Sequence, residues 1–189
     1  MTRIISGTAR GRSIKVPSEG TRPTSDRARE GLFSSLQVRF GFVDEVVLAL
    51  FAGSGALGLE AASRGAKEVT LVDNSDAAVK TIKDNARVVP EAKVQVVEAK
   101  ASSFLAGAPR NYYTMVLADP PYELTDEAVA EMVEALIPVL TSDAVVVVER
   151  NSASPETAWP EGFEPTGQKL KKRTYGIARF DMAIWRGEG

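Results

Sequence analysis

Short apolar runs alternate with amphipathic stretches through the middle of the chain. Five runs are rich in valine and leucine and mostly lack polar alternation: residues 45–51, 68–73, 93–97, 113–118 and 144–149. Strands that are buried on both faces of a sheet have this composition. The runs therefore predict five buried strands.

Helical patterns lie between these strands. Ser75 is the predicted N-cap of a helix that ends near residue 87, and Thr125 is the predicted N-cap of another. In the second helix, apolar residues recur at i, i+3, i+4 and i+7, as Val129, Met132, Val133 and Leu136. The alternation predicts an α/β fold in which helices cover a parallel sheet through right-handed crossovers.

The first 40 residues do not follow this alternation. Residues 3–6 and 13–16 predict a small hairpin, and Ser25 is the predicted cap of a helix over 26–39. We therefore expect two units, an N-terminal extension over 1–40 and a main domain over 41–189.

The end of the chain predicts a different kind of strand pair. A loop at 152–167 leads to two runs, 169–175 and 178–185, which are separated by Gly176. This pattern predicts an antiparallel pair at one edge of the sheet.

The composition narrows the possible chemistry. The chain has 189 residues, of which 44% are hydrophobic and 25% charged, as in ordinary globular domains. It contains no cysteine and no histidine, which excludes thiolate nucleophiles, Cys/His zinc sites and Ser-His-Asp triads. Catalysis would depend on carboxylates, Lys/Arg, tyrosine, backbone groups or a cofactor, and we expect no metal.

Charge is unevenly distributed along the chain, although the formal net charge is only −2. Residues 1–40 carry a net +5, residues 41–168 a net −11 and residues 169–189 a net +4. The two basic ends either form a local face for nucleic acid or simply keep the termini solvated. No apolar segment approaches about 18 residues, so we expect a cytoplasmic protein that does not bind membranes.

A glycine-rich loop follows the first buried strand and precedes a helix. Gly53, Gly55 and Gly58 match G-x-G-x-x-G, in which glycine lets a ligand approach the backbone at a helix N-terminus. Asp73 ends the next strand, where a carboxylate can accept hydrogen bonds from both hydroxyls of a ribose. This pattern indicates a nucleotide-type cofactor but does not separate NAD from S-adenosylmethionine.

A second motif follows the strand predicted at 113–118. The sequence Asp119-Pro120-Pro121-Tyr122 offers the Asp119 carboxylate and the Pro120 carbonyl as acceptors, with an aromatic ring beside them. Two such acceptors can hold both N–H groups of an exocyclic amine while the ring stacks on the base. Asp119 would also stabilise the positive charge that develops on nitrogen during methyl transfer. The alternative is that Asp-Pro-Pro only terminates the strand.

These two motifs together resemble the class I S-adenosylmethionine-dependent amino-methyltransferases. Arg-Ile-Ile-Ser-Gly at 3–7, Gly-Arg at 11–12 and Arg-Pro-Thr-Ser-Asp-Arg-Ala-Arg-Glu at 22–30 resemble, more narrowly, the RsmD-type family, which methylates a guanine N2 in 16S ribosomal RNA. The resemblance implies a Rossmann-like, seven-stranded, mostly parallel sheet with an antiparallel C-terminal edge pair and an N-terminal extension that docks RNA. The expected catalytic residues are Asp119, Pro120, Pro121 and Tyr122.

The cofactor S-adenosylmethionine would be bound by residues of three loops. They are Phe51, Ala52, Gly53, Ser54 and Gly55, then Asp73 and Asn74, then Lys100 and Ala101. Two positions depart from the family pattern. Ala49 replaces an acidic residue on the first strand, and Lys100 stands in the loop that usually borders the adenine, so we expect measurable but modest cofactor affinity.

The RNA partner would be held from both sides of the site. A guanine amine is inaccessible inside a stack, so the base would be flipped outwards. The expected RNA contacts are Arg10, Arg12, Arg22, Arg27 and Arg29 on one side, and Lys171, Lys172, Arg173 and Tyr175 on the other. For each arginine, a solvated or ion-paired role is the alternative. We expect a monomer that acts on 16S rRNA within a small ribosomal subunit or an assembly intermediate.

Other functions remain open from the sequence alone. The motifs do not separate guanine from adenine N6, cytosine or a glutamine amide as the methyl acceptor. An NAD-dependent oxidoreductase would need the same glycine loop, but it gives no reason for Asp-Pro-Pro-Tyr. A non-catalytic RNA-binding or assembly factor that has kept the fold is the third possibility.

Overall fold

A twisted sheet with helices on both faces forms the centre of the computed structural model, which describes residues 2–17 and 24–187. The helices are α1 (Asp26–Arg39), α2 (Ala56–Ser63), α3 (Asp76–Asn85), α4 (Ala101–Gly107) and α5 (Asp126–Leu136). The strands are β1 (Thr2–Arg3), β2 (Ser13–Ile14), β3 (Val46–Leu50), β4 (Glu68–Asp73), β5 (Lys93–Glu98), β6 (Tyr113–Ala118), β7 (Leu140–Asn151), β8 (Phe163–Pro165), β9 (Thr174–Tyr175) and β10 (Ala178–Trp185).

The strand order of the main sheet is β5-β4-β3-β6-β7-β10-β8, and β9 pairs with β10 beside this path. The five central strands are parallel, whereas β10 runs antiparallel to β7 and β8. The chain passes from β3 outwards to β4 and β5, then returns to place β6 on the other side of β3. Open α/β sheets bind ligands where the strand order reverses in this way, here at the carboxyl ends of β3 and β6.

The sequence-based helix starts are confirmed. Ser25, Ser75 and Thr125 each cap a helix, and each side chain accepts a hydrogen bond from the backbone N–H three residues further on. These bonds satisfy N–H groups that the first turn of a helix leaves without intrahelical partners.

Two hydrophobic clusters fill the two faces of the sheet. One lies beneath α1, α2 and α3 and the other beneath α4 and α5. Ile4, Ala9 and Ile14 from the N-terminal segment belong to the first cluster, together with Val47 and Leu117 of the central strands. The predicted extension over 1–40 therefore shares a core with the main sheet, and its separate role in RNA docking stays a prediction.

The predicted antiparallel pair is confirmed next to its turn, where β9 pairs with β10, but the pairing does not extend along the rest of the first run. The run at 169–175 contributes only the two residues of β9, and Leu170–Lys172 forms a 3-10 turn in which Leu170 is 50% exposed. The edge partner of β10 is instead β8, which lies in the predicted loop. Phe163 of β8 packs against Trp185 with ring centroids 4.9 Å apart and ring planes tilted by 56°, so aromatic packing favours this segment over the lysine-rich one.

Across residues 2–17 and 24–187, no helix is both long enough and apolar enough to cross a membrane.

Candidate functional site

A cavity of about 580 Å³ opens at the carboxyl ends of β3, β4 and β6. Its walls come from three loops, residues 51–54 after β3, 73–75 after β4 and 119–124 after β6. The N-terminal segment adds Thr2, Val16, Pro17 and Thr24. Sites for ligands of cofactor size commonly have volumes of about 300–1,000 Å³, so this cavity is large enough for a nucleotide-type cofactor.

The three glycines of the motif have separate structural roles. Gly53 and Gly55 have φ angles of 61° and 86°, in the left-handed region that glycine occupies without strain. Gly58 lies inside α2, where a Cβ atom would stand 2.7 Å from Leu71 Cδ2 on β4. The first two glycines therefore shape the turn, and the third allows α2 to pack closely on the sheet.

Asp73 connects the glycine loop to the next turn. Its Oδ2 accepts a hydrogen bond from Gly53 N at 2.9 Å, and its Oδ1 accepts one from Ser75 N at 2.9 Å. A carboxylate offers about four lone-pair sites, so each oxygen keeps acceptor capacity beyond these two bonds. Because the carboxylate lines the cavity, the donor groups of a ribose suit this position.

The Asp-Pro-Pro-Tyr motif leaves the sheet directly beside the glycine loop. The Asp119 N–H donates to Leu50 O on β3 at 3.2 Å, and Pro121 O accepts from Leu124 N at 3.0 Å. Residues 119–122 all line the cavity, as do Phe51, Ala52, Gly53, Ser54, Asp73 and Asn74. The structure thus brings both motifs to one cavity.

Three expected cofactor residues occupy other positions. Gly55, Lys100 and Ala101 are not among the residues that line the cavity. Gly55 precedes α2 and is buried against Ile82 and Leu71. Ala49, the position that departs from the family pattern, does line the cavity.

Two residues beside Asp119, Thr24 and Glu149, are not among those predicted from the sequence. Thr24 Oγ1 lies 2.7 Å from Glu149 Oε1 and 3.2 Å from Asp119 Oδ2. Glu149 is 1% exposed, and its Oε2 accepts a hydrogen bond from the Tyr122 hydroxyl at 3.3 Å. The sequence does contain a signal for Glu149, which is an acidic residue at the end of a buried apolar run, as Asp73 is.

The structure contradicts the predicted RNA contact of Arg29. Its side chain is 1% exposed and forms an ion pair with Glu60 at 3.3 Å, and its Nη2 donates to Thr2 Oγ1 at 2.9 Å. A buried guanidinium with these partners cannot contact a phosphate at the surface, so the prediction for Arg29 is wrong. Arg27 is exposed in the first turn of α1, whereas Arg22 lies outside the described residues.

Arg10 and Arg12 are exposed, but they do not flank the cavity as expected. The loop that carries them is bound to the C-terminal end of α2, where Thr8 N donates to Ser63 O at 2.8 Å. The cavity lies at the opposite end of α2, about 12 Å away at 1.5 Å per residue. Arg12 itself donates to Val88 O, in the turn that follows α3. Arg10 and Arg12 therefore lie beside the layer of helices.

The basic residues near the C-terminus also differ among themselves. Lys171 and Lys172 are exposed. Arg173 was expected to contact RNA beside the first cavity. It instead lines a separate cavity of about 350 Å³ and forms ion pairs with Asp181 and Glu156. The ring of Tyr175 packs against Gly31 of α1.

The turn before β10 lies beside the first cavity. Ile177 O accepts a hydrogen bond from the Tyr122 hydroxyl at 3.3 Å. The exposed residues of this turn are therefore adjacent to the Asp-Pro-Pro-Tyr motif.

Comparison with known proteins gives a consistent result. The chain is 46% identical over 123 residues to ribosomal RNA small subunit methyltransferase D of Escherichia coli K12, a match that spans 64% of this chain and 60% of that protein. It is 32% identical over 192 residues to the putative rRNA methyltransferase YlbH of Bacillus subtilis, covering 99% of this chain and all of the relative. A solved structure of the putative methyltransferase yhhF from Escherichia coli superposes with a TM-score of 0.80 at 32% identity, covering 99% of both chains.

The family assignment rests on nearly the whole sequence. Residues 2–184 match the family described as conserved hypothetical protein 95. The structural likeness to yhhF likewise extends over nearly the whole chain. The chain therefore belongs to the conserved hypothetical protein 95 family, the RsmD-type family that its motifs resemble.

Proposed function

We propose that this protein is an S-adenosylmethionine-dependent methyltransferase that modifies the exocyclic N2 amine of a guanine in 16S rRNA. The observation that carries the proposal is the single cavity lined by both Asp73 and the Asp-Pro-Pro-Tyr motif. The names of the relatives from Escherichia coli and Bacillus subtilis support an RNA substrate. The choice of the guanine amine rests on the family resemblance.

The residues of the cavity suit the cofactor. Backbone groups of the glycine loop and the N-terminus of α2 would lie against it, and Asp73 would accept hydrogen bonds from its ribose hydroxyls. Each Asp73 oxygen is already oriented by one backbone N–H, so the carboxylate is held in place before a ligand binds. When bound, S-adenosylmethionine would supply an activated methyl group on a sulfonium, whose bond to sulfur breaks on transfer and leaves the neutral thioether S-adenosylhomocysteine.

The Asp119 carboxylate and the Pro120 carbonyl would hold the target amine by accepting its two N–H bonds. This arrangement favours a tetrahedral nitrogen and exposes its lone pair for bond formation with the methyl carbon. The Asp119 carboxylate would also stabilise the positive charge that develops on the nitrogen and accept the proton that leaves it. The ring of Tyr122 would stack on the base and keep it in the plane that both acceptors require.

The target base must leave its stack to reach this cavity. The exposed basic residues Arg27, Lys171 and Lys172 would contact the RNA backbone near the site, because cations in this setting bind phosphates. Arg10 and Arg12 would contact a more distant part of the RNA. We propose that a monomer acts in the cytoplasm on 16S rRNA within a small ribosomal subunit or an assembly intermediate.

The test is transfer of labelled methyl from S-adenosylmethionine to unmodified small ribosomal subunits, followed by digestion to nucleosides. We expect the label in N2-methylguanosine. The variant Asp119→Asn should lower the rate at least about 100-fold, because removing an electrostatic stabiliser of the transition state commonly costs about 10²–10³. Its affinity for S-adenosylhomocysteine should change less than about threefold.

Each alternative gives a different result. Label in N6-methyladenosine would replace guanine as the target. No transfer by the parent protein, or equal transfer by the parent and Asp119→Asn, would refute the proposed role of Asp119. Fluorescence changes of NADH on mixing, without binding of S-adenosylhomocysteine, would favour an oxidoreductase.

A further inference from the structure

We propose that Thr24, held by Glu149, selects guanine by accepting a hydrogen bond from the ring N1–H beside the reactive amine. This inference rests on the proposed function and assigns base discrimination to a residue outside the Asp-Pro-Pro-Tyr motif. Thr24 lines the cavity, and its Oγ1 lies beside the Asp119 carboxylate.

The single proton of the Thr24 hydroxyl has carboxylate oxygens as its neighbours. Its two described neighbours are carboxylate oxygens, Glu149 Oε1 at 2.7 Å and Asp119 Oδ2 at 3.2 Å. A hydroxyl has one proton and two acceptor lone pairs. Since the proton is directed towards these carboxylates, the side of the oxygen that remains for a ligand presents lone pairs.

Glu149 fixes this orientation. Its side chain is buried at the end of β7, next to Asp119 at the end of β6, as the pairing of Ala118 with Val148 requires. One carboxylate oxygen accepts from Thr24 and the other accepts from the Tyr122 hydroxyl at 3.3 Å. A single buried carboxylate therefore positions both the acceptor at Thr24 and the aromatic ring of the motif.

The second step concerns the edge of the base. In guanine the C2 amine lies between N1–H on one side and the lone pair of N3 on the other, so a donor is present on the N1 side. In adenine and cytosine the ring nitrogen beside the amine carries a lone pair. We assign Thr24, the neighbour of Asp119, to the N1 side of the amine. A donor there forms a hydrogen bond, whereas an acceptor faces another acceptor and leaves both unsatisfied.

The test uses a base that changes this one position while keeping the amine. In 2-aminopurine the C2 amine is retained and N1 is an acceptor, although O6 is also lost. Small ribosomal subunits are reconstituted with 16S rRNA that carries either guanine or 2-aminopurine at the methylated position, and kcat/KM for labelled methyl transfer is measured for each. We expect the parent to prefer guanine by about 30-fold, in the middle of the range of about 5- to 150-fold that corresponds to the cost of about 1–3 kcal/mol for leaving a buried polar group unsatisfied.

Thr24→Val and Thr24→Ser form the matched pair. Valine has the shape of threonine without the hydroxyl, so we expect the preference for guanine to fall at least about tenfold. Serine keeps the hydroxyl and should stay within about threefold of the parent. Any effect of the missing O6 is common to all three proteins, so the change in preference isolates the hydroxyl.

Glu149→Gln provides an independent variant. Its amide nitrogen can donate to Thr24 Oγ1 and would then occupy one of the two lone pairs that could accept from N1–H, so the preference for guanine should again decrease. Thermal unfolding and binding of S-adenosylhomocysteine identify any variant that fails to fold. An unchanged guanine preference in a folded Thr24→Val protein would overturn this inference and leave the proposed function intact. Absence of transfer to the guanine substrate by the parent would refute both.

Discussion

Arg29 and Glu60 form an ion pair inside the protein, with Nη1 and Oε1 3.3 Å apart and neither side chain more than 1% exposed. Glu60 also accepts hydrogen bonds from the N–H groups of Ile5 and Ser6 and from Arg64 Nε. One buried carboxylate thus connects the N-terminal segment, α1 and α2. Because the N-terminal segment supplies part of the cavity wall, this network helps to shape the site.

Replacement of Glu60 by Gln should therefore destabilise the fold strongly. A neutral amide leaves the buried Arg29 with only the exposed carboxylate of Asp26, 3.1 Å from its Nη2, as a counter-charge. The loss should therefore approach the value of about 3–5 kcal/mol that is typical when one partner of a buried pair is removed. Urea unfolding gives the free energy difference. The matched control is Asp76→Asn, whose partner Lys80 lies 3.0 Å away with side chains 67% and 75% exposed. The control should lose less than about 1 kcal/mol, and an equal loss in both variants would contradict the argument.

Arg29 also shows how far periodicity predicts the role of a charged residue. The buried positions Arg29, Leu32, Phe33 and Leu36 are spaced i, i+3, i+4 and i+7, so the helical pattern itself placed Arg29 on the inward face. The partner that makes its burial possible, Glu60, is 31 residues away on another helix. That pairing depends on how α1 packs on α2, which a local pattern does not contain.

The convergence of the two motifs could be predicted for a simple geometric reason. Gly53 and Asp119 follow parallel strands, and the carboxyl ends of parallel strands meet at one edge of the sheet. Thr24 could not be placed in this way, because it precedes α1 and reaches Asp119 through tertiary packing across 95 residues. The edge strand β8 was missed because its three residues are selected by the contact of Phe163 with Trp185.

Gly31 provides a test of the contact between α1 and the segment before β10. A Cβ atom at Gly31 would stand 2.1 Å from the phenolic oxygen of Tyr175, so Gly31→Ala must displace this ring. We expect a net loss of up to about 2 kcal/mol in the free energy of unfolding, because an overpacked site costs about 1–3 kcal/mol and alanine gains about 1 kcal/mol over glycine inside a helix. Gly107→Ala is the control, because a Cβ atom there meets nothing within 4 Å. Its stability should stay the same or rise slightly, and equal effects at both sites would refute the packing argument.

Asp73→Asn should weaken cofactor binding. An amide has one acceptor oxygen, so it cannot accept from both Gly53 N and Ser75 N while also accepting from two ribose hydroxyls. We expect the Kd for S-adenosylhomocysteine to rise at least about tenfold in titration calorimetry. Asp84→Asn, at an exposed position on α3, should leave the Kd within about twofold. An unchanged Kd in Asp73→Asn would exclude this carboxylate from the cofactor site.

The Asp181 carboxyl should make the free energy of unfolding depend on pH in the acid range. Burial raises the pKa of this carboxyl, but hydrogen bonds from Arg179 and Thr157 outweigh burial, and the pKa lies below its usual value. A carboxyl whose pKa is lower in the folded protein stabilises the fold above its unfolded pKa of about 4. This contribution is lost as the pH falls through the folded pKa.

The variant Asp181→Asn separates this contribution from general acid unfolding. At pH 7 it should be less stable than the parent, because Arg179 and Arg173 lose a buried counter-charge. As the pH falls below about 4, the parent loses the contribution of Asp181 and the variant has none to lose. The difference in urea midpoint between the two proteins should therefore shrink on acidification. Asp143→Asn, at a carboxylate that is 69% exposed, controls for removal of a negative charge. A difference that stays constant from pH 7 to pH 3 would show that Asp181 acts through packing and not through its charge.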